Sequence, residues 1–216
     1  MTSRERLIAV ARGGDADRQP TAGWSGAVDA LIVPVEQIHA TSKGSSDQAL
    51  LADIANPFRV AEERELDLNS ILGSNPAAGN ALLDEVVQQV RSRIEKAMAS
   101  GADGIFYRLH GAEPRYSTPM SYGGHFLEKD RELLSEVSNA RFNLLFIVGG
   151  PEAYFDFVAD LPADAFAAPA EFISATALRE IRRGTIAGTE GDTDILIVAP
   201  RPNLIEFLET QTLAGV

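Results

Sequence analysis

Cysteine is absent from the 216 residues of this chain, histidine occurs 3 times and tryptophan 1 time. Without a thiol there is no disulfide, no cysteine nucleophile and no zinc site with a thiolate ligand. A histidine-rich metal centre would need nearly all of His39, His110 and His125, and neither H-x-E-H nor H-E-x-x-H spacing occurs. No metal is therefore expected, and since Gly13-Gly14 and Gly149 to Pro151 match neither G-x-G-x-x-G nor a P-loop and read as turns, no cofactor is expected either. Positive charge is also scarce: 19 Lys and Arg stand against 31 Asp and Glu, for a net charge of -12. A surface of that sign is not drawn as a whole to nucleic acid or anionic membranes, so neither is an expected partner. Long apolar runs are missing too. No segment reaches the roughly 20 apolar residues of a membrane span, and the opening MTSRERLIAVARGGD is charged and lacks the apolar core of an export signal. The expected location is the cytoplasm. Hydrophobic residues make up 45% of the chain, enough for one substantial core, and residues 1–216 are read as a single domain.

What the chain does have is alternation. Leu82, Leu83, Val86, Val87, Val90, Ile94, Ala97 and Met98 recur at three- and four-residue spacing, one helix face turned to a core. Asn75-Pro76 ahead of them is a cap followed by a proline at the first helical position. Gly101 stops that helix, and Ile105, Phe106 and Tyr107 follow as a buried strand over Gly104 to Leu109. Further strands are predicted at Ala30–Val35, Ala49–Ala55, Phe142–Val148, Ala165–Ala168, Thr185–Gly188 and Asp194–Val198. Helices are predicted at Ser3–Arg12, Phe58–Leu72, Glu128–Ser138, Glu152–Ala159, Ser174–Arg183 and Pro202–Thr210. Gly13–Ser25 reads as a turn-rich loop and Thr41–Gln48 as a polar one.

Helices alternating with short apolar strands imply a mostly parallel sheet with helices outside. Seven or eight strands favour a closed ring, so the fold class is α/β, a shortened TIM-like (β/α)8 barrel. One connection is too short for that plan. A parallel crossover needs about a dozen residues, but only Glu190 to Thr193 separate the strand ending near Thr189 from the one starting at Asp194. A hairpin-like or irregular connection is expected near Gly191.

Chemistry is expected where barrel strands end. Arg108, His110, Glu113 and Arg115 follow one strand closely. Arginine offers a fork to a carboxylate, and histidine moves protons near neutral pH. The loop Tyr116–His125 holds two Tyr, a His and Gly123-Gly124, and could act as a lid. Other strand-end acids are Glu36, Asp53, Glu171 and Glu190, with Arg59 and Arg201 as counterparts. The catalytic candidates are His110, Tyr107 and Glu171. The substrate-binding candidates are Arg108, Arg115, Tyr122, His125, Glu190 and Arg201. Against each stands the plainer reading of a side chain that is solvated or paired with its neighbours.

The string GADGIFYRLHGA, Gly101 to Ala112, resembles a strand of the uroporphyrinogen decarboxylase superfamily. RERLIAVARGGDADRQP (Arg4 to Pro20) is similar to its opening helix and Asp-Arg-x-Pro turn, and the stretches Ala55–Val86, Ala140–Glu171 and Arg182–Gly188 resemble later elements. The resemblance implies a barrel, a homodimer and metal-independent decarboxylation of a tetrapyrrole carboxylate. The departures are specific. The segment after Pro20, TAGWSGAVDA, lacks the arginines that hold the family's substrate, His110 falls near the position of a family serine, and ILIVAPRPN carries no late histidine. The superfamily's corrinoid-linked methyltransferases use zinc-bound thiols, yet Phe146 and Val148 stand where such members place polar ligands. Zinc-thiol methyl transfer is disfavoured. Two readings remain: a divergent, decarboxylase-like enzyme acting on an anionic tetrapyrrole or polycarboxylate, with Phe155 and Phe157 exposed at a dimer surface, or a catalytically silent barrel kept for ligand binding or assembly.

Overall fold

The computed structural model describes residues 1–12, 14–42, 47–169, 171–181, 186–190 and 194–198, the last two segments by backbone alone. The predicted helix Pro202–Thr210 lies outside these residues. In chain order the first half holds α1 (Ser3–Ala11), β1 (Thr21–Gly23), β2 (Ala30–Pro34), α2 (Ile38–Ser42), β3 (Ala49–Ala55), α3 (Pro57–Glu63), α4 (Leu68–Ser74) and α5 (Pro76–Ala99). The second half holds β4 (Gly104–Leu109), α6 (Pro119–Tyr122), α7 (Glu128–Glu136), β5 (Leu144–Ile147), α8 (Phe155–Val158), β6 (Ala165–Ala167), α9 (Ala175–Ile181), β7 (Ile186–Glu190) and β8 (Asp194–Val198).

The strands close into a barrel in the order of the chain. Each neighbouring pair from β1 to β7 is parallel. β8 is antiparallel to both β7 and β1. Glu190 pairs with Asp194, and the hairpin-like connection expected near Gly191 lies outside the described residues. The ring is thus an α/β barrel shortened at its closing strand.

Side chains alternate across the barrel wall as a pleated strand requires. Ala22, Ala30, Ile32, Ala49, Leu51, Phe106, Leu144, Ala165 and Ala167 form the inner cluster. Leu50, Ile54, Ile105, Tyr107, Leu109, Leu145, Ile147 and Phe166 belong to the outer layer, with Leu83, Val86, Val87, Val90 and Ile94 of α5. Five inner alanines leave room for the large ring of Phe106, the interdigitation that fills a small barrel. α1 stops the N-terminal end by adding Leu7 and Val10 to the inner cluster. Its arginines fasten it there. Arg4 lies 3.0 Å from Asp103, ahead of β4, and Arg6 pairs with the fully buried Asp29, ahead of β2. Arg18 of the Asp-Arg-x-Pro turn also donates to Asp29, at 2.8 Å, and so holds the base of the barrel.

Four expectations need correction. Thr21–Gly23, within the predicted loop Gly13–Ser25, is strand β1, paired with both β2 and β8. The predicted helix Phe58–Leu72 is two helices, broken where Glu65 takes φ 58. The predicted Tyr116–His125 lid loop becomes helical from Pro119, with a π turn at Gly123–Leu127 leading into α7. A Cβ on Gly123 would lie 2.6 Å from the Phe157 ring, so this glycine serves close packing. Phe155 is buried, whereas Phe157 is 37% exposed. No helix among the described residues is long and apolar enough to cross a membrane.

Candidate functional site at the barrel mouth

The parallel strands end together on one face, and what stands there follows from strand parity. On β4, Phe106 faces inward and Arg108 is the next inward position, one layer nearer the mouth. On β3 the matching inward residue above Leu51 is Asp53, and on β5 the residue above Leu144 is Phe146. Arg108 donates from Nε to Oδ1 of Asp53 at 2.6 Å, with side chains 31% and 23% exposed. The Trp24 ring, just past β1 and 47% exposed, meets Phe106 edge-on at 5.6 Å. Phe146 lies 5.5 Å from Phe106 on the other side. The mouth therefore has an aromatic floor and wall with a solvent-accessible ion pair above.

His110 lies one residue beyond β4. Its backbone N and O both bond to the Asn56 side chain, at 3.2 and 3.1 Å. Gly111 follows at φ 89, where the ring of Phe58 leaves no room for a Cβ, so only glycine suits the turn away from the strand. Burial, and then the positive charges of Arg108, Arg59 and Arg115, push the imidazole down to about 4. It is neutral at pH 7. Its Nε2 is buried and has no hydrogen-bond partner among the described residues. Such an orphaned polar atom is unusual and costly.

Glu113 is buried. Its Oε1 accepts from Arg115 Nε at 2.6 Å and its Oε2 from Gly150 N at 3.2 Å. Arg115 also covers the face of Tyr116, 4.6 Å from the ring centre. Arg108, His110 and Arg115 are thus gathered on one rim. Tyr107 and Tyr122 are not brought to it. Tyr107, on the outward face of β4, is fully buried and donates to Oδ1 of Asp130 at 2.6 Å. Tyr122 donates to Oδ2 of the same carboxylate at 2.6 Å. Burial and the Asp130 charge raise both phenols well above the usual tyrosine range, and burial pushes Asp130 up to about 6 against the pull of its hydrogen bonds. His125 sits half-buried on the π turn beside Phe126. Glu171 is exposed in a turn after β6. Glu190 ends β7, its side chain outside the description, and Arg201 lies outside the described residues.

A groove of about 370 Å³ opens nearby, lined by Phe58, Glu62, Leu66, Asp67, Arg115 and Tyr116 among others. It does not include Arg108, Asp53 or His110. Among the described residues no three His, Asp or Glu side chains gather into a set that could hold a metal ion. The end of β5 offers Phe146 and Val148, so zinc-thiol chemistry does not fit these donors.

Sequence reasoning missed Asn56, Asp130, Trp24 and Phe146. Asn56-Pro57 carries the same cap-then-proline signal as Asn75-Pro76, and Asn56 Oδ1 does cap α3 through Arg59 N at 3.2 Å. Strand parity from Arg108 would have excluded Tyr107. Nothing local singles out Asp130.

No family profile matches this chain, and no curated protein matches it. Among solved structures, a methyltransferase from Methanosarcina mazei superposes with a TM-score of 0.71 and 14% identity, covering 84% of this chain and 80% of that one. The two share a barrel fold. At that identity the likeness speaks for architecture, and the chemistry must be argued from the side chains.

Proposed function

We propose that the mouth of this barrel binds an anionic small molecule, with Arg108 as its charge anchor and neutral His110 as its hydrogen-bonding companion. The observation that carries this reading is the buried, partnerless Nε2 of His110 in the field of Arg59, Arg108 and Arg115. An anion carrying a hydroxyl or carboxylate would satisfy that nitrogen and gain from a positive rim. The aromatic floor of Trp24, Phe106 and Phe146 suits a ligand with an apolar, ring-bearing body, so tetrapyrrole carboxylates and cyclic polycarboxylates are the classes to present first. The resemblance to uroporphyrinogen decarboxylases supports the same choice, as well as a homodimer.

Between catalysis and simple binding, the geometry favours binding. General acid–base work would pair His110 with a carboxylate. Among the described side chains, Asp53 is engaged by Arg108, and Glu113 by Arg115 and Gly150. A decarboxylase-like step remains the second reading, supported by an imidazole that is unprotonated at pH 7 and has no partner on Nε2.

The test is a thermal-shift titration with uroporphyrin, coproporphyrin and small polycarboxylates, repeated on Arg108→Ala and His110→Ala. A saturable rise in wild type that both variants lose supports the reading. No shift with any anion, or a shift that Arg108→Ala leaves intact, overturns it.

A further inference from the structure

The Asn56 side chain uses every hydrogen-bonding position it has. Oδ1 accepts from the backbone N of His110 and of Arg59, both at 3.2 Å. Nδ2 donates to the backbone O of His110 at 3.1 Å and approaches Oδ2 of Asp130 at 3.5 Å. Its backbone N donates to the carbonyl of Arg108 at 3.1 Å. One fully buried amide thus joins the ends of β3 and β4, the first turn of α3 and, through Asp130, the helix α7.

The orientation of this amide follows from its neighbours. An ionised carboxylate only accepts, and both Asp130 oxygens already take a tyrosine hydroxyl. The amide must therefore turn its NH2 group toward Asp130 and the His110 carbonyl. That leaves Oδ1 for the N–H groups of His110 and Arg59. Turned the other way, oxygen would face oxygen and N–H would face N–H at all four contacts. Past the last β3–β4 backbone pairing, at Ala55 and Arg108, this amide replaces the ladder and holds His110 in strand-like register.

Resting on the binding reading above, we propose that Asn56 is the positioning residue of the mouth, with Asp130 the buried group that sets which way its amide points. Neither touches the ligand. Together they hold the His110 imidazole against the arginine rim and away from solvent. The chain of contacts also explains two buried tyrosines that the mouth does not use: they complete the coordination of Asp130 and free the third approach for Asn56.

The test reads His110 directly, without ligand. His39, His110 and His125 give 3 imidazole signals to assign, and His110→Gln identifies one by its loss. NMR titration of wild type, Asn56→Ala, Asn56→Ser and Tyr122→Phe is compared on protein shown to be folded by circular dichroism. Removing the clamp is expected to move the His110 titration up toward the free-imidazole value by about one unit or more. Tyr122→Phe, which alters the same buried cluster but keeps Asn56 bonded to the backbone of His110 and Arg59, should leave it in place. Affinity for citrate, measured by calorimetry, should fall about tenfold in the Asn56 variants, a loss of about 1.4 kcal/mol. An unchanged His110 titration in either folded Asn56 variant overturns the proposal, and so does an equal shift in Tyr122→Phe. If the imidazole moves as expected while neither citrate nor a porphyrin binds wild type, the binding reading falls and the positioning of His110 stands. Should Asn56→Ala not fold, Asn56→Ser and Asp130→Asn carry the same comparison.

Discussion

Asp53 and Arg108 hold each other across the mouth at 2.6 Å, on adjacent strands and both partly open to solvent. Asp53 thereby occupies the Nε side of the fork that an anionic ligand would need. A ligand carboxylate must displace it or share it. Asp53→Asn should therefore tighten polycarboxylate binding by about tenfold, and Arg108→Ala should weaken it by about tenfold to a hundredfold, the span of a charge-assisted hydrogen bond. Calorimetry on both variants checks the pair. Weaker binding in Asp53→Asn would show that the carboxylate serves the ligand rather than competing with it.

Trp24 is the sole tryptophan, stands at the mouth and touches Phe106. Its fluorescence thus reports on the mouth alone. Occupancy by a ring-bearing anion should quench or shift the emission with the same midpoint that calorimetry gives. Trp24→Phe should remove the signal while changing affinity by no more than about threefold, since one aromatic face replaces another. A ligand that binds without altering the emission would have to sit elsewhere, and the groove beside Tyr116 would be the place to look.

Two buried groups should tilt the pH dependence of stability in opposite directions. His110 is held down to about 4, so below pH 6.5 the unfolded chain binds a proton that the folded one refuses. Its contribution is therefore lost as pH falls from about 6.5 to about 4. Asp130 is held up to about 6, so the folded chain keeps a proton that the unfolded one has released. Stability is lost as pH rises from about 4 to about 6. Urea unfolding across that range should show wild type losing on the order of 2 kcal/mol against Asp130→Asn on going up in pH. Against His110→Gln it should gain a comparable amount, reduced by the imidazole's partial exposure. Parallel curves for wild type and either variant would refute the corresponding assignment.

Phe106 is fully buried among inner alanines, which cannot close over the space it would leave. Phe106→Ala should cost about 3–5 kcal/mol. Phe146, half-buried at the rim, should cost less than half of that on truncation. Denaturant melts of the two variants test this ordering, and an equal loss would mean that the mouth is as tightly filled as the floor.

Where the chain repeats a pattern, the fold was legible. The α5 stripe, its Asn75-Pro76 start and the following Gly104–Leu109 strand match the observed Pro76–Ala99 and Gly104–Leu109, because many residues state the same period. β1 escaped notice because Thr-Ala-Gly shows no apolar run and becomes a strand only through backbone pairing on both sides. The Gly123-Gly124 pair suggested a hinge, yet Phe157 packs against the first glycine and Asp130 anchors Tyr122. At the site, Arg108 and His110 were readable as strand-end groups. The assignment of Tyr107 beside them ignored the pleat that sends alternate residues to opposite sides of the wall. Asp130 depends on contacts made across 23 residues to Tyr107 and 74 to Asn56, which no local signal encodes.

The antiparallel course of β8 also bears on how the ring comes together. β7 and β8 pair as neighbours in sequence, whereas β1 and β8 join Thr21 to Leu196. Loop-closure entropy makes the first pairing cheap to form and the second slow. The seam should therefore close late, when a ready-made two-stranded flap swings onto β1 and completes the wall. Amide exchange would find its weakest protection along the β1 edge, on the far side of the barrel wall from the β4–β5 pairing.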